Sequence, residues 1–241
     1  HGRVNLKRAI KESCDIYFYE VARLLGIDRL QKTAFRFGLG DYVFQDFFEE
    51  AKGLVPSTSW KREALGKSWY LGETMISGIG QGYIKTTNVQ LCKMIAQFAN
   101  GGYQINASFF DSSDQALGEK IIDDDEHIEL ILKSLFEATN HPGGTSYRSR
   151  IPGTMKIAGK TGTAQVRKIS ESQREQDLKN KDLPWKFRDH SLFTGYGPAD
   201  NPKYAISVII EHGGSGSAVA APIARNIMRK IFEKERKLNN V

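Results

Sequence analysis

Apolar residues recur at helical spacing through residues 1–154, separated by polar caps and glycines. Side chains suited to capping a helix precede four of these apolar stripes: Asn5, Asp28, Thr87 and the acidic run 123–125. Another stripe starts near residue 17 and ends at Gly26. Residues 41–72 are rich in aromatic side chains but show no period, which predicts a long surface or cleft-lining loop. This part of the chain is therefore predicted to be mainly helical.

The pattern changes at residue 155, where β-branched and aromatic residues become frequent. Three runs are typical of strands: Met155 to Val166, His190 to Gly197 and Tyr204 to Glu211. The first two are separated by a charged segment, 167–187, which predicts a mobile excursion between strands of a small antiparallel meander.

A helix over residues 219–234 is predicted to close the chain. Ile223, Ile227 and Ile231 share one face of it, which we expect to cover the sheet. A helical part followed by helix-covered antiparallel strands predicts an α+β fold, with 1–154 and 155–241 as its two portions.

Composition excludes several classes of protein. The chain has 241 residues, 40% hydrophobic and 26% charged, which is typical of a globular domain and not of a disordered chain. Two cysteines cannot form a disulfide framework, and the net charge of +6 is spread along the chain. No basic-aromatic pattern or zinc-finger spacing appears, so no nucleic-acid partner is expected.

The sequence Lys160-Thr161-Gly162-Thr163 lies inside the first predicted strand, where lysine and glycine are costly residues. A glycine there lets a substrate lie against the strand as an extra strand. The Thr161 hydroxyl could bind a carboxylate beside the lysine charge, and the Thr163 N–H could stabilise an oxyanion. A surface lysine next to a turn is the alternative that the tripeptide alone leaves open.

A second motif, Ser13-Cys14-Asp15, falls at the junction of two predicted helices. Alone, it is well explained as a helix N-cap, because serine and aspartate are good caps. Ser-x-Asp followed by Lys-Thr-Gly is, however, the order of the last two of three motifs in penicillin-binding proteins and class A β-lactamases.

With these motifs, the chain resembles the transpeptidase domain of class B penicillin-binding proteins, and it is most like the elongation-type penicillin-binding protein 2 branch. The aspartate at position 15, where division-type relatives usually carry asparagine, favours that branch. The resemblance spans nearly the whole chain and includes Gly78-Ile79-Gly80-Gln81-Gly82, Ala158-Gly159-Lys160-Thr161-Gly162-Thr163-Ala164-Gln165, His190-x-Leu192-Phe193-x-Gly195-Tyr196 and Ala220-Ala221-Pro222-Ile223-Ala224.

The resemblance implies the penicillin-binding/serine β-lactamase-like fold and a peptidoglycan D,D-transpeptidase acting through an acyl-enzyme. Ser13 would relay protons, Asp15 would orient the site, and Lys160 would support Ser13 electrostatically. The side chains of Thr161 and Thr163 beside Gly162 would bind the substrate or a β-lactam. No serine here is followed three residues later by lysine, so the nucleophile is expected upstream of His1, and the chain is expected to be an N-terminally truncated, inactive part of the domain.

The resemblance also implies partners, a location and a metal. Stem peptides of peptidoglycan, β-lactam antibiotics and membrane proteins of the elongation complex are the expected partners, at the periplasmic face of a bacterial inner membrane. No cofactor is expected for catalysis. Relatives carry zinc near Ser-x-Asp, so His1 and Cys14 are candidate ligands of an incomplete structural site whose acidic ligands would lie outside this chain.

Two alternatives stay open. A β-lactamase or β-lactam sensor would share the fold, but the glutamate that positions a hydrolytic water cannot be identified in the sequence. The chain could also serve as a non-catalytic binding fragment.

Overall fold

The computed structural model describes residues 1–44, 47, 49–110, 118–166 and 180–239. The chain divides into two units, His1–Ser134 and Leu135–Val241. The first unit is helical and the second contains the sheet, which confirms the α+β class. None of the helices in the described ranges is long and apolar enough to cross a membrane.

The helices of the first unit follow the sequence caps closely. Asn5 accepts a hydrogen bond from the Arg8 N–H at 3.0 Å, and the predicted cap Thr87 forms a reciprocal capping box with Gln90. The helices are α1 (Leu6–Glu12), α2 (Asp15–Leu25), α3 (Ile27–Arg36), α4 (Thr58–Leu65), α5 (Leu71–Ser77), α6 (Asn88–Ala99) and α7 (Asp125–Asn140), of which α7 continues into the second unit.

Asp28 is not the N-cap of α3, contrary to the sequence prediction. The N-cap is Gly26, and Asp28 lies in the first turn, where its carboxylate accepts from the Thr58 N–H at 2.9 Å and from the Thr58 hydroxyl. Asp28 therefore ties α3 to the start of α4. A contact between residues 30 positions apart cannot be read from local sequence.

The prediction of one long loop over residues 41–72 was also wrong, because the segment contains α4 and the start of α5. These short helices are held by a buried ion pair: Lys61 Nζ lies 2.6 Å from both carboxylate oxygens of Glu73. The Lys61 side chain is only 2% exposed and lies against the ring of Tyr70, with Trp69 and Tyr83 nearby. Tertiary contacts, and not an apolar stripe, stabilise α4.

Helix α2 packs on α5 through small residues. A side chain at Gly78 would collide with the Ala22 methyl group at 2.5 Å and with the Phe18 carbonyl at 2.9 Å. Val21 and Leu24, which belong to the apolar stripe predicted between residue 17 and Gly26, are exposed, whereas Ala22 is buried. Close approach of two backbones selects the small residues at this contact.

The second unit contains the three predicted strands: β1 (Ala158–Ala164), β2 (His190–Gly197) and β3 (Tyr204–Ile210). They form an antiparallel sheet in the order β1-β2-β3, with Thr161 opposite Phe193 and Lys160 opposite Thr194. The meander is confirmed. Of the predicted excursion, residues 167–179 lie outside the described residues, and 180–187 contain two short 3₁₀ turns.

Helix α8 (Ala220–Asn239) covers the sheet, as predicted, but with a different face. Ile223 and Ile227 are exposed, and of the three predicted isoleucines only Ile231 packs against the core. The buried face consists of Ala220, Ala221, Ala224, Met228 and Phe232. Alanines at the start of α8 let its backbone approach the sheet closely, which explains why the larger isoleucines point outward.

Gly159 and Gly162 allow a matched test of packing within β1. A methyl group at Gly159 would lie 2.5 Å from the Thr194 carbonyl and 2.6 Å from the Phe193 ring, whereas one at Gly162 would meet only Leu192 at 3.4 Å. We expect Gly159→Ala to lower the free energy of unfolding by about 1–3 kcal/mol, and Gly162→Ala by less than about 1 kcal/mol. Urea unfolding monitored by circular dichroism measures both. Equal losses would contradict the tight pairing of β1 with β2.

Candidate active site

Lys160, Thr161, Gly162 and Thr163 lie together on β1, as predicted. Lys160 is partly buried, and its ammonium donates to the Thr161 carbonyl at 3.0 Å. This contact places the lysine charge along the strand backbone instead of in bulk solvent. Lys160 therefore lies within a strand, and not next to a turn as in the alternative interpretation.

The carboxyl-terminal end of α7 fixes the beginning of β1. Asn140 donates from its side-chain amide to the Ile157 carbonyl at 2.8 Å, and the Thr139 hydroxyl donates to the Gly159 carbonyl at 3.4 Å. Both carbonyls therefore point away from β2. Two side chains of α7 therefore hold the start of β1 at a fixed distance from this helix.

This anchoring also determines which edge the motif presents. Alternate residues of an antiparallel strand direct their N–H and C=O groups to the same edge, so Thr161 and Thr163 share the outer edge with Ile157 and Gly159. The contact of the Thr161 carbonyl with the Lys160 ammonium agrees with this alternation. The Thr163 N–H thus lies at the edge where an extended peptide would pair and where an oxyanion donor is needed.

A glycine turn supports the threonine hydroxyl. Thr161 donates from Oγ1 to Oγ1 of Thr145 at 3.1 Å. Gly144 lies so close to the Ala138 carbonyl that any side chain there would collide with it. The turn borders a cavity of about 350 Å³, lined by Gly143, Gly144, Thr145, Tyr147, Arg148, Ser217 and Ala218. Polar groups converging on a cavity beside the motif are typical of a ligand site.

Ser13 and Asp15 lie in the helical unit, at the α1–α2 junction. Ser13 ends α1 with φ 52° and ψ 64°, a left-handed conformation that is uncommon for serine. Cys14, and not Ser13, occupies the N-cap position of α2, so the interpretation of Ser13 as a helix N-cap is wrong. Asp15 begins α2 with its carboxylate in the first turn, where the helix dipole favours negative charge.

The metal prediction concerns His1 and Cys14. Cys14 is buried and His1 is exposed. Within the described ranges, no three histidine, cysteine or acidic residues come together to hold a metal ion. A structural zinc site needs four ligands, so these two residues do not form one by themselves, and zinc binding stays a prediction.

The Ser-x-Asp junction and the β1 motif both lie in a stretch of the chain that matches a known family. The family model of the penicillin-binding protein transpeptidase domain matches residues 1–229. The chain belongs to this family.

The similar proteins define its branch. The peptidoglycan D,D-transpeptidase MrdA of Salmonella typhimurium is 35% identical over 98% of this chain and 39% of the relative. PBP2 of Helicobacter pylori, solved with MreC, is 31% identical with a TM-score of 0.85 over 97% of this chain and 41% of that chain. PBP2 of Pseudomonas aeruginosa, solved with WCK 5153, is 38% identical with a TM-score of 0.79 over 93% of this chain and 48% of that chain.

These findings confirm the family resemblance and the transpeptidase fold, and the domain is of the PBP2 (MrdA) type. The chain spans about two fifths of the length of its MrdA relative. The roles of Ser13, Asp15, Lys160, Thr161 and Thr163 stay predictions.

Three residues at the site escaped the sequence analysis: Thr139, Asn140 and Thr145. Each contributes a hydrogen bond that holds β1 or the Thr161 hydroxyl. The one available signal was Gly143-Gly144-Thr145, a glycine pair directly before a polar residue, which marks a tight turn.

Proposed function

We propose that the intact protein is a peptidoglycan D,D-transpeptidase that works through an acyl-enzyme. The observation that carries the proposal is the outer edge of β1, where the backbone of Thr161 and Thr163 is directed away from β2 beside the Lys160 ammonium. A pentapeptide ending in D-alanine has the extended backbone and carboxylate that such an edge would bind.

The chemistry proceeds in two steps. A serine outside residues 1–241 attacks the penultimate D-alanine carbonyl, the amide C–N bond breaks, and D-alanine leaves with the proton that Ser13 relays. An amine of a neighbouring stem peptide then attacks the ester carbonyl, the ester C–O bond breaks, and one amine proton returns to the serine oxygen, which leaves the cross-linking amide and the free serine. No cofactor enters either step.

Each predicted residue has a defined role in this scheme. Lys160 stabilises developing negative charge and supports Ser13, and Asp15 orients the site. The Thr161 and Thr163 hydroxyls bind the terminal carboxylate, and the Thr163 N–H donates to the oxyanion. The contact of Thr161 with Thr145 supports this assignment, because it restrains the orientation of the hydroxyl.

The partners follow from the same proposal. Stem peptides are the substrates, and β-lactams acylate the same serine because they present a comparable amide to the nucleophile. The Helicobacter pylori relative was solved with MreC, which supports a protein partner for the intact protein. We place the intact protein among membrane proteins of the elongation complex, at the periplasmic face of the inner membrane. In the intact protein, His1 and Cys14 would supply two of the four ligands of a structural zinc.

Labelling with penicillin tests the proposal. The intact protein should form a stoichiometric covalent adduct with a fluorescent penicillin, whereas residues 1–241 alone should form none, because they contain no Ser-x-x-Lys. Intact-mass spectrometry measures both. A mass increase equal to the drug on residues 1–241 would show that another residue is the nucleophile, and rapid drug hydrolysis by the intact protein would favour a β-lactamase.

A further inference from the structure

Four arginines surround one cavity on the second unit, and one of them, Arg148, also lines the cavity beside the Lys-Thr-Gly motif. The cavity has a volume of about 330 Å³ and is lined by Arg148, Arg150, Arg225, Arg229, Ile151 and Pro152. Its volume is in the range of small-molecule sites in proteins. No residue in this lining is acidic.

Two anchored elements carry these arginines. Arg225 and Arg229 are one helical turn apart on α8, and the neighbouring Ala224 and Met228 are fully buried in the core. Arg148 and Arg150 flank the buried Ser149 in a 3₁₀ turn that contacts α8. The backbones of all four arginines are therefore held in place before any ligand binds, which lowers one part of the entropic cost of binding, although Arg148, Arg150 and Arg229 are exposed.

Hydrogen bonds to the end of α7 hold the segment that leads into the 3₁₀ turn. Both the N–H and the hydroxyl of Ser146 donate to the Ala138 carbonyl, at 3.0 and 3.1 Å, and the Ser146 hydroxyl also contacts that of Thr139. The Arg150 guanidinium stacks on Tyr147 at 4.2 Å and donates once to the carbonyl of the same residue. These contacts orient the Arg150 side chain without neutralising its positive charge.

The positive charge of the cavity is only partly balanced. Arg229 pairs with the exposed Glu233 at 3.6 Å, and Arg225 donates to the neutral amide of Asn226. Four guanidinium groups and one carboxylate leave a net charge of three. Holding like charges together costs free energy that an anion of similar total charge would recover.

We propose that this arginine cavity binds a diphosphate group. Guanidinium groups form paired, parallel hydrogen bonds with phosphate oxygens, and each phosphate of a diphosphate can engage one pair of arginines. A diphosphate carries two to three negative charges, which matches the net charge of the cavity. The site does not depend on the proposed transpeptidase activity.

Calorimetric titration of the intact protein with inorganic pyrophosphate in metal-free buffer tests the proposal. Pyrophosphate should bind saturably, and the combined change Arg225→Gln with Arg229→Gln should weaken binding at least about tenfold. Arg148→Gln with Arg150→Gln should do the same from the other element. The matched control, Lys230→Gln with Arg236→Gln, removes the same charge from exposed positions of α8 and should change affinity less than about twofold.

Two further measurements identify the chemical class of the ligand and its source. Citrate, a carboxylate of comparable charge, should bind at least about tenfold more weakly than pyrophosphate. Flotation with phosphatidylglycerol vesicles, against phosphatidylcholine vesicles, asks whether the phosphate of a lipid headgroup is taken by the same arginines. Vesicle binding that is abolished by substitution of either arginine pair would support a lipid headgroup as the source of the phosphate. Equal binding of citrate and pyrophosphate, an equal loss of affinity in the control variant, or no saturable binding of pyrophosphate would overturn the proposal.

Discussion

Replacing Lys160 with alanine in the intact protein is expected to lower the second-order rate constant of acylation by penicillin at least about a hundredfold. The Lys160 ammonium lies against the Thr161 carbonyl on the strand whose outer edge would hold the drug. Its removal takes away charge that is already positioned, and water cannot replace that charge without reorganisation. Stopped-flow measurement with a fluorescent penicillin determines the rate constant.

The matched control is Lys230→Ala, which removes an exposed lysine of α8 and should leave acylation unchanged within about twofold. Lys160→Arg keeps the charge but changes its shape, so we expect it to recover only part of the rate. A loss below about threefold in Lys160→Ala would mean that the Lys-Thr-Gly assignment is wrong. This conclusion does not depend on which serine is the nucleophile.

The second large effect concerns stability. Lys61→Met should lower the free energy of unfolding by about 3 kcal/mol, because it leaves the Glu73 carboxylate without the ammonium that it contacts at 2.6 Å. The methionine keeps most of the packing of the lysine stem among the surrounding rings. Glu73 is 23% exposed, which places the expected loss at the lower end of the range for buried pairs. Denaturant unfolding measures it.

Two further variants test how the charge of the ion pair and its burial contribute to stability. Lys61→Met combined with Glu73→Gln removes both charges and should be more stable than Lys61→Met alone. Lys203→Met breaks the more exposed pair with Glu235 and should cost less than about 1 kcal/mol. Similar losses for Lys61→Met and Lys203→Met would show that burial adds nothing to the Lys61–Glu73 contact.

The same pair predicts a pH dependence. Burial acts to raise the pKa of Glu73, but hydrogen bonds from Lys61 and the Tyr70 N–H outweigh it and hold the pKa below its ordinary value of 4.5. A carboxyl whose pKa is lowered on folding stabilises the protein above its unfolded pKa, and this contribution is lost as the pH falls through the folded pKa. The stability difference between the native protein and Lys61→Met should therefore shrink below pH 4.5.

The sequence predicted the motif strand well because its signals are local. Lysine and glycine inside a β-branched run mark β1, and reciprocal capping by Thr87 and Gln90 marks the start of α6. The sequence could not predict the side chains outside the sheet that contact β1. The hydroxyl contact of Thr161 with Thr145 joins residues 16 positions apart, and nothing in either segment alone indicates that they meet.

The sequence by itself determined the family, the order of the strands and the helix starts that carry their own caps, because these depend on residues within a few positions of one another. Only the tertiary structure decided which face of α8 is buried. Its stripes of isoleucines and of small residues have the same period, and Ala221 and Ala224, unlike Ile223, allow close approach to the sheet. It also decided that α4 forms around Lys61, and that four arginines from two elements share one cavity. The physical reason is that packing and charge act through space, whereas periodicity reports only neighbours along the chain.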